Sequence, residues 1–268
     1  MDIIEERIER RAVPFFGPVA VLMNLTVYPL LVLWTLTGIL LFPLGFIIWK
    51  AVAGWNNRRI MRHFVWIYGR GWLLIMSPFV RFRREGFEDL KLDAPCILIV
   101  NHLSFFDTYC MSLLPAFDIT FAVRAWPFRM PCYGWFMRLA GYLDVESSEW
   151  HEVQQSASNI ITEGGHLLFF PEGHRSRNGK LHQFQTGAFR LAADLKVPVV
   201  PLCISGTDHL LPPGRFWLQP AVITLRTLPP IGNEDFQGSD GARRLRNLAH
   251  ERIAETLANV RRKGPEIP

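Results

Sequence analysis

The sequence predicts an α/β domain built on a mixed, largely parallel sheet flanked by helices, with an N-terminal membrane-embedded helical hairpin ahead of it. Three observations carry this prediction. From residue 81 onward, short apolar runs alternate with helical patterns, which is how strand–helix units read. The 38 residues from Ala12 to Trp49 contain no Asp, Glu, Lys or Arg. The 268-residue chain is 49% hydrophobic but only 20% charged, below the roughly 25% charge of a soluble chain. That composition excludes disorder, a fibrous repeat and a disulfide-rich secreted scaffold. Two units follow: residues 1–80 as anchoring and interfacial helices, and residues 81–268 as the α/β domain.

Residues 1–11 read as a short charged helix. Asp2, Glu5, Glu6 and Glu9 spoil the positive n-region of a signal peptide, and the apolar run far exceeds an h-region, so the segment is expected to be retained. The run is too long for one simple crossing, which takes roughly 20 residues. Pro14, Pro18, Pro29 and Pro43 mark breaks. Arg7, Arg10 and Arg11 precede the run, and Lys50, Arg58, Arg59 and Arg62 follow it. Two basic flanks on one side favour a hairpin turning near Pro29 or Thr37-Gly38, over a single tilted helix at 28–49. Behind the run, 55–80 mixes Trp66, Tyr68, Trp72 and Phe79 with Arg58, Arg62 and Arg70. That mixture fits an interfacial helix with its cations on phosphates, and equally a domain helix with a solvated basic face.

The domain's strands are expected at 96–100, 119–123, 166–170, 197–203 and 222–228, each a short apolar run. Its helices are expected at 107–114, 133–140, 149–162, 187–195 and 242–262. The last carries Leu245, Leu248, Ile253, Leu257 and Val260 on one stripe, to pack on the sheet. Cys96, Cys110, Cys132 and Cys203 sit in apolar surroundings without CxxC spacing, so they are expected to be buried, reduced thiols in a cytoplasmic portion. The net charge of +5 is modest. Its clusters beside apolar segments suit anionic lipid headgroups better than nucleic acid.

Two polar blocks stand at strand ends. The first is Asn101-His102-Leu103-Ser104-Phe105-Phe106-Asp107. A histidine held by a strand suits general-base work, because imidazole titrates near neutrality. A helix starting near Ser104 would fold Asp107 back onto the imidazole and fix its tautomer. Ser-x-x-Asp is also a capping pattern, which explains Ser104 as an N-cap in preference to a nucleophile. The second block is Pro171-Glu172-Gly173-His174-Arg175-Ser176-Arg177. Gly173 permits a tight turn, and Arg175 offers a planar fork suited to phosphate. Glu172 would position Arg175 or bind a substrate hydroxyl. Alternatively, this block is a surface loop with a salt bridge. The set His102, Asp107, Glu172 and His174 lacks the HxH or HExxH spacing of a metal site, and no metal is expected.

In combination, NHLSFFD, FPEGHRSRNGKLHQFQTGAFRLA (170–192) and VPVVPL (197–202) resemble the phospholipid/glycerol acyltransferase family, in order and separation. The segment Arg124-Ala125-Trp126-Pro127-Phe128-Arg129-Met130-Pro131-Cys132-Tyr133-Gly134-Trp135 is similar to the family's basic block ending in a Pro-x-x-Gly-Trp turn. The resemblance spans about residues 85–228, and the 1-acylglycerol-3-phosphate acyltransferases are nearest in style. It implies a membrane-bound enzyme that moves a fatty acyl group from acyl-CoA or acyl-carrier protein to a lysophospholipid, with lysophosphatidic acid giving phosphatidic acid. His102 is then the general base and Asp107 its orienting carboxylate. Glu172, Gly173, Arg175 and Ser176 match the acceptor-binding block, Arg124 stands where a phosphate-binding Lys is frequent, and Pro201 matches the block shaping the thioester end. No cofactor beyond the thioester co-substrate is implied, and the catalytic domain is expected on the cytoplasmic face. Two departures bear on the headgroup: His174 replaces a Thr, and Leu143-Asp144-Val145-Glu146-Ser147 lacks the basic residue of an Ile-Asp-Arg block. A different lysolipid or amine-lipid acceptor remains an alternative, as does a lipid hydrolase or transacylase using Ser104.

Overall fold

The structure, a computed structural model, describes residues 17–88, 90, 92–131, 133–176, 179–212, 214–232, 238 and 240–262. The expected helix at 1–11, Arg7, Arg10, Arg11, Pro14, Cys132 and Arg177 lie outside them.

Two long helices come first, α1 (Pro18–Ala53) and α2 (Asn57–Met76). They pair as a helical hairpin, but not the expected one: from Pro18 on, the uncharged run is a single helix, and its partner α2 lies after the run. α1 runs unbroken through Pro29, Thr37-Gly38 and Pro43, and the chain reverses at Gly54–Asn56, where Gly54 is left-handed. Both internal prolines lie on the exposed side of α1. The carbonyls they leave free belong to Leu25 and Ile39, which are also exposed, so no buried acceptor is orphaned. From Trp34 to Trp49 the other side of α1 is held by α2: Trp34 Nε1 donates to Tyr68 O, Phe42 meets Phe64 edge-on, and Trp49 meets His63.

α2 packs on the domain, and this corrects the headgroup reading for Trp72 and Arg62. Trp72 is buried and stacks on Tyr109 at 5.1 Å. Arg62 is buried and forms an ion pair with Asp118 at 2.8 Å, while also bonding Thr120 Oγ1. Arg58 and Arg70 remain exposed.

The domain continues β1 (Val80–Glu85), β2 (Ile97–Val100), α3 (Asp107–Cys110) with a 3-10 turn Met111–Leu113, β3 (Ile119–Val123), α4 (Ala125–Phe128), α5 (Tyr133–Ala140), β4 (Leu143–Asp144), α6 (Trp150–Thr162), β5 (His166–Phe169), α7 (Gly187–Leu195), β6 (Val199–Ser205), α8 (Thr207–Leu210), β7 (Ala221–Thr227) and α9 (Gly241–Arg262). The seven strands lie in the order β1-β7-β6-β2-β5-β3-β4. Five, from β6 to β4, are mutually parallel, and the β6–β7 pair is antiparallel. The sheet is therefore mixed and largely parallel, as the alternation predicts.

β2 and β5 are buried at every position because helices cover both faces. Leu98 and Val100 of β2 join Met23 and Val27 of α1 and Trp72 and Met76 of α2 in one core, while Ile97 and Ile99 join α6, α7 and α9 in the other. α9 contributes Leu245, Ala249, Ile253 and Leu257, four residues apart in turn. Cys96, Cys110 and Cys203 are free and buried, and burial pushes the Cys96 and Cys203 thiols up to about 12. The parallel order brings the ends of β2, β5, β3 and β6 to one edge, and the polar blocks leave the sheet there.

Candidate active site

β2 ends at Val100, and the next residue closes the sheet beyond the backbone ladder. Asn101 Nδ2 donates to Ile204 O and Asn101 Oδ1 accepts from Ile204 N, both at 2.8 Å. This side-chain pairing holds β2 to β6 at the point where His102 emerges.

His102 Nδ1 and Asp107 Oδ2 are 2.8 Å apart, and Asp107 is fully buried. A carboxylate can only accept, so a proton lies on Nδ1, and in the neutral ring Nε2 is then the free acceptor. The same Oδ2 accepts from the backbone N–H of Leu103 at 2.6 Å and of Ser104 at 2.8 Å. The expected capping pattern is thus half present. Asp107 reaches back to the Ser104 N–H, but its own N–H donates to the Ser104 backbone carbonyl. Phe106 is the N-cap, and Ser104 Oγ lies 3.5 Å from Phe106 N. Capping and imidazole orientation are one arrangement here. His102 also stacks on Phe170, ring centres 4.3 Å apart.

The second block closes over the first. Glu172 Oε1 accepts from His102 N at 2.6 Å and Glu172 Oε2 from His182 N at 2.8 Å. Burial raises the Glu172 carboxyl above the ordinary range, and these backbone donors oppose the rise. Gly173 is left-handed at φ +72°, and its N–H donates to Phe170 O in the turn that follows β5. Ser176 N donates to His102 O at 2.8 Å, and Ser176 Oγ to Lys180 O at 2.7 Å. Arg175 is exposed on this loop. Glu172 therefore grips backbone on both sides of the site, where the sequence offered it to Arg175.

Arg124 follows β3 and is exposed. Its guanidinium is engaged by Glu146, whose other oxygen accepts from Ala125 N at 3.0 Å. That hydrogen bond raises Arg124 and lowers Glu146 from their ordinary values. Pro201 lies inside β6, paired with Ile99 below the strand end, and accepts from Leu228 N at 2.9 Å. The structure thus gathers His102, Asp107, Glu172 and Ser176 by direct contacts, with Gly173 in the turn beside Glu172. It keeps Arg124 in a separate pair and Pro201 in the sheet.

An apolar cavity of about 420 Å³ opens beside α3. Thr35 and Phe42 of α1, Tyr68 of α2, Tyr109 of α3, Phe121 of β3 and Phe136 of α5 are among its walls. Thr108, next to Asp107, also lines it.

The acyltransferase family model matches residues 81–205. The chain is 30% identical to the 1-acyl-sn-glycerol-3-phosphate acyltransferase of Limnanthes alba, over 76% of this chain and 70% of that protein. The chain belongs to the acyltransferase family. It is also 35% identical to the 1-acyl-sn-glycerol-3-phosphate acyltransferase of Chlamydomonas reinhardtii, over 69% of this chain and 57% of that protein. For the chloroplastic enzyme of that name from Arabidopsis thaliana the figures are 31%, 75% and 55%. This acyltransferase chain thus spans little more than half the length of the latter two relatives. The crystal structure of the 1-acyl-sn-glycerophosphate acyltransferase from Thermotoga maritima has the same fold, with a TM-score of 0.72 over 90% of this chain and 95% of that one, at 22% identity.

Two side chains for which sequence reasoning gave no role bond at the candidate site of this acyltransferase. Thr207 Oγ1 bonds Asp107 Oδ1 at 2.5 Å, and Asn101 joins β2 to β6. Asn101 opens the NHLSFFD block and offered a signal by position. Thr207 comes from 100 residues away, with no local pattern pointing to it.

Proposed function

We propose that this chain transfers an acyl group from acyl-CoA or acyl-carrier protein to the free hydroxyl of lysophosphatidic acid, at the cytoplasmic face of a membrane. The observation that carries the proposal is the His102–Asp107 contact at the end of β2, with Thr108, the next residue, lining the apolar cavity. His102 Nε2 takes the acceptor's hydroxyl proton as that oxygen attacks the thioester carbonyl. The C–O bond forms, the C–S bond breaks, and the leaving thiolate recovers the proton from His102. Asp107 stabilises the imidazolium in between. The cavity's ring-lined walls suit an acyl chain. Arg175, exposed on the loop bonded to His102, is the cation offered to the acceptor's phosphate. Arg124 serves it only by leaving Glu146. The step needs no metal or redox group, since base and thioester supply all of it.

The membrane reading is supported by α1. It is about 54 Å long at 1.5 Å per residue, and long and apolar enough to cross a membrane. It is nevertheless held by α2 from Trp34 to Trp49 and, near its start, by Leu218 through Asn24. A helix so bound lies along one leaflet, its exposed Leu25, Leu33, Leu40 and Ile47 in the acyl region. Phe216, 90% exposed, sits beside that face, where Tyr28 of α1 donates to its carbonyl.

The test is a panel of lysolipids and both thioester donors with full-length protein, read by mass spectrometry. Lysophosphatidic acid should be acylated, and His102→Ala should lower the rate by ~10²–10⁴. Full activity in that variant would remove His102 as the base. Release of free fatty acid without an acylated product would instead favour a hydrolase.

A further inference from the structure

We infer that Thr207 is a positioning residue of this site, holding Asp107 in the one orientation in which it serves His102. The inference rests on the general-base reading above. Asp107 has two oxygens with unlike partners. Oδ2 accepts from His102 Nδ1, Leu103 N and Ser104 N. Oδ1 accepts from Thr207 Oγ1 at 2.5 Å, and both residues are fully buried. The hydroxyl is the donor, because a carboxylate has no proton to give. A buried carboxylate oxygen without a donor is costly, and its group turns about the Cβ–Cγ bond to find one. Thr207 fills that need, so Oδ2 stays on the imidazole. Threonine suits the task, since β-branching restricts χ1 and keeps the hydroxyl aimed.

The chain around Thr207 is built to deliver it. β6 turns into α8 at Gly206, which is left-handed at φ +89°. A Cβ there would fall 2.0 Å from Val222 O, so only glycine makes the turn. Asn101 fixes the same strand end to β2 through Ile204. Both supports converge where β2 and β6 leave the sheet together.

The test compares Thr207→Val, which removes the hydroxyl at nearly constant shape, with Thr207→Ser, which keeps it. Full-length protein is assayed with lysophosphatidic acid and an acyl thioester, with His102→Ala alongside. Thr207→Val should lower kcat about tenfold, the loss of one hydrogen bond to a charged group, with both KM values within about twofold. Thr207→Ser should restore most of kcat. The downfield proton resonance of the His102 Nδ1–H should move in Thr207→Val and not in Thr207→Ser. Wild-type kcat in Thr207→Val, or a Ser variant no better than Val, would overturn the inference. If Thr207→Val does not fold, Thr207→Ala carries the same comparison. An inactive His102→Ala beside a fully active Thr207→Val defeats this inference alone, whereas an active His102→Ala defeats the general-base reading beneath it.

Discussion

Glu172 concentrates the electrostatic interest of individual residues. It is buried, and burial raises its carboxyl above the ordinary value. Its two oxygens hold the N–H groups of His102 and His182, so the carboxylate ties both loops together. The sign of the linkage follows. A raised folded-state value means the fold binds this proton more tightly than the unfolded chain does. The contribution therefore favours the fold at low pH, below the ordinary carboxylate range, and is lost as pH rises through the raised value. Glu172→Gln removes it, so the variant's melting temperature should fall less than wild type's as pH is raised through that window. Activity at neutral pH should drop at least about tenfold, because a Gln presents its NH₂ to one of two N–H donors. Melting curves from pH 4 upward and a kcat measurement check both. An unchanged pH slope would show that Glu172 does not titrate differently in the fold.

Among the elements, α2 decides the architecture of the N-terminal half. Arg62 is its buried cation, paired with Asp118 just before β3 and bonded to Thr120 inside it. Burial lowers the Arg62 value and Asp118 opposes that. Removing one member of a buried pair typically costs about 3–5 kcal/mol, and Asp118 is partly exposed, so Arg62→Ala should lose about 3 kcal/mol in denaturant unfolding. A loss below about 1 kcal/mol would make the pair a surface ion pair in energetic terms. The same helix shows what the sequence could and could not say. Arg62 looked like its neighbours Arg58 and Arg59; Arg59 also reaches Asp118, at 3.5 Å, but from an exposed position, and burial against Thr120 sets Arg62 apart. β1 escaped notice for a related reason. As an edge strand carrying Arg81, Arg83 and Arg84 it has no apolar run, and its pairing with β7 is remote in sequence. The buried strands β2, β3 and β5 were legible because both their faces are covered. In the site, His102 and Asp107 were legible because five residues separate them. Thr207 was hidden, and Arg124 looked free, because the groups that engage them lie far along the chain.

On the scale of the whole molecule, α1 makes one long flank apolar. α1 presents Leu25, Leu33, Leu40 and Ile47 outward, and the loop before β7 adds Phe216. Burying a Phe side chain is worth about 1.5–3 kcal/mol. Phe216→Ser should therefore weaken binding to phospholipid vesicles about tenfold, and Leu40→Glu at least as much. Vesicle co-sedimentation of the full-length variants measures this. Unchanged binding in both would place the membrane contact on another surface.

The loop holding Phe216 reaches α1 through Asn24. This side chain, 6% exposed, accepts from Leu218 N and donates to Leu218 O, both at 2.9 Å, across 194 residues of sequence. A ribosome adds about 5–20 residues per second, so α1 exists for roughly 10–40 s before Leu218 is made. During that interval the Asn24 amide already has the Ala20 carbonyl at 2.7 Å, four residues back in the same helix. The newborn helix thus carries its own temporary cover for one polar group, and the final partner arrives only when most of the chain has left the ribosome.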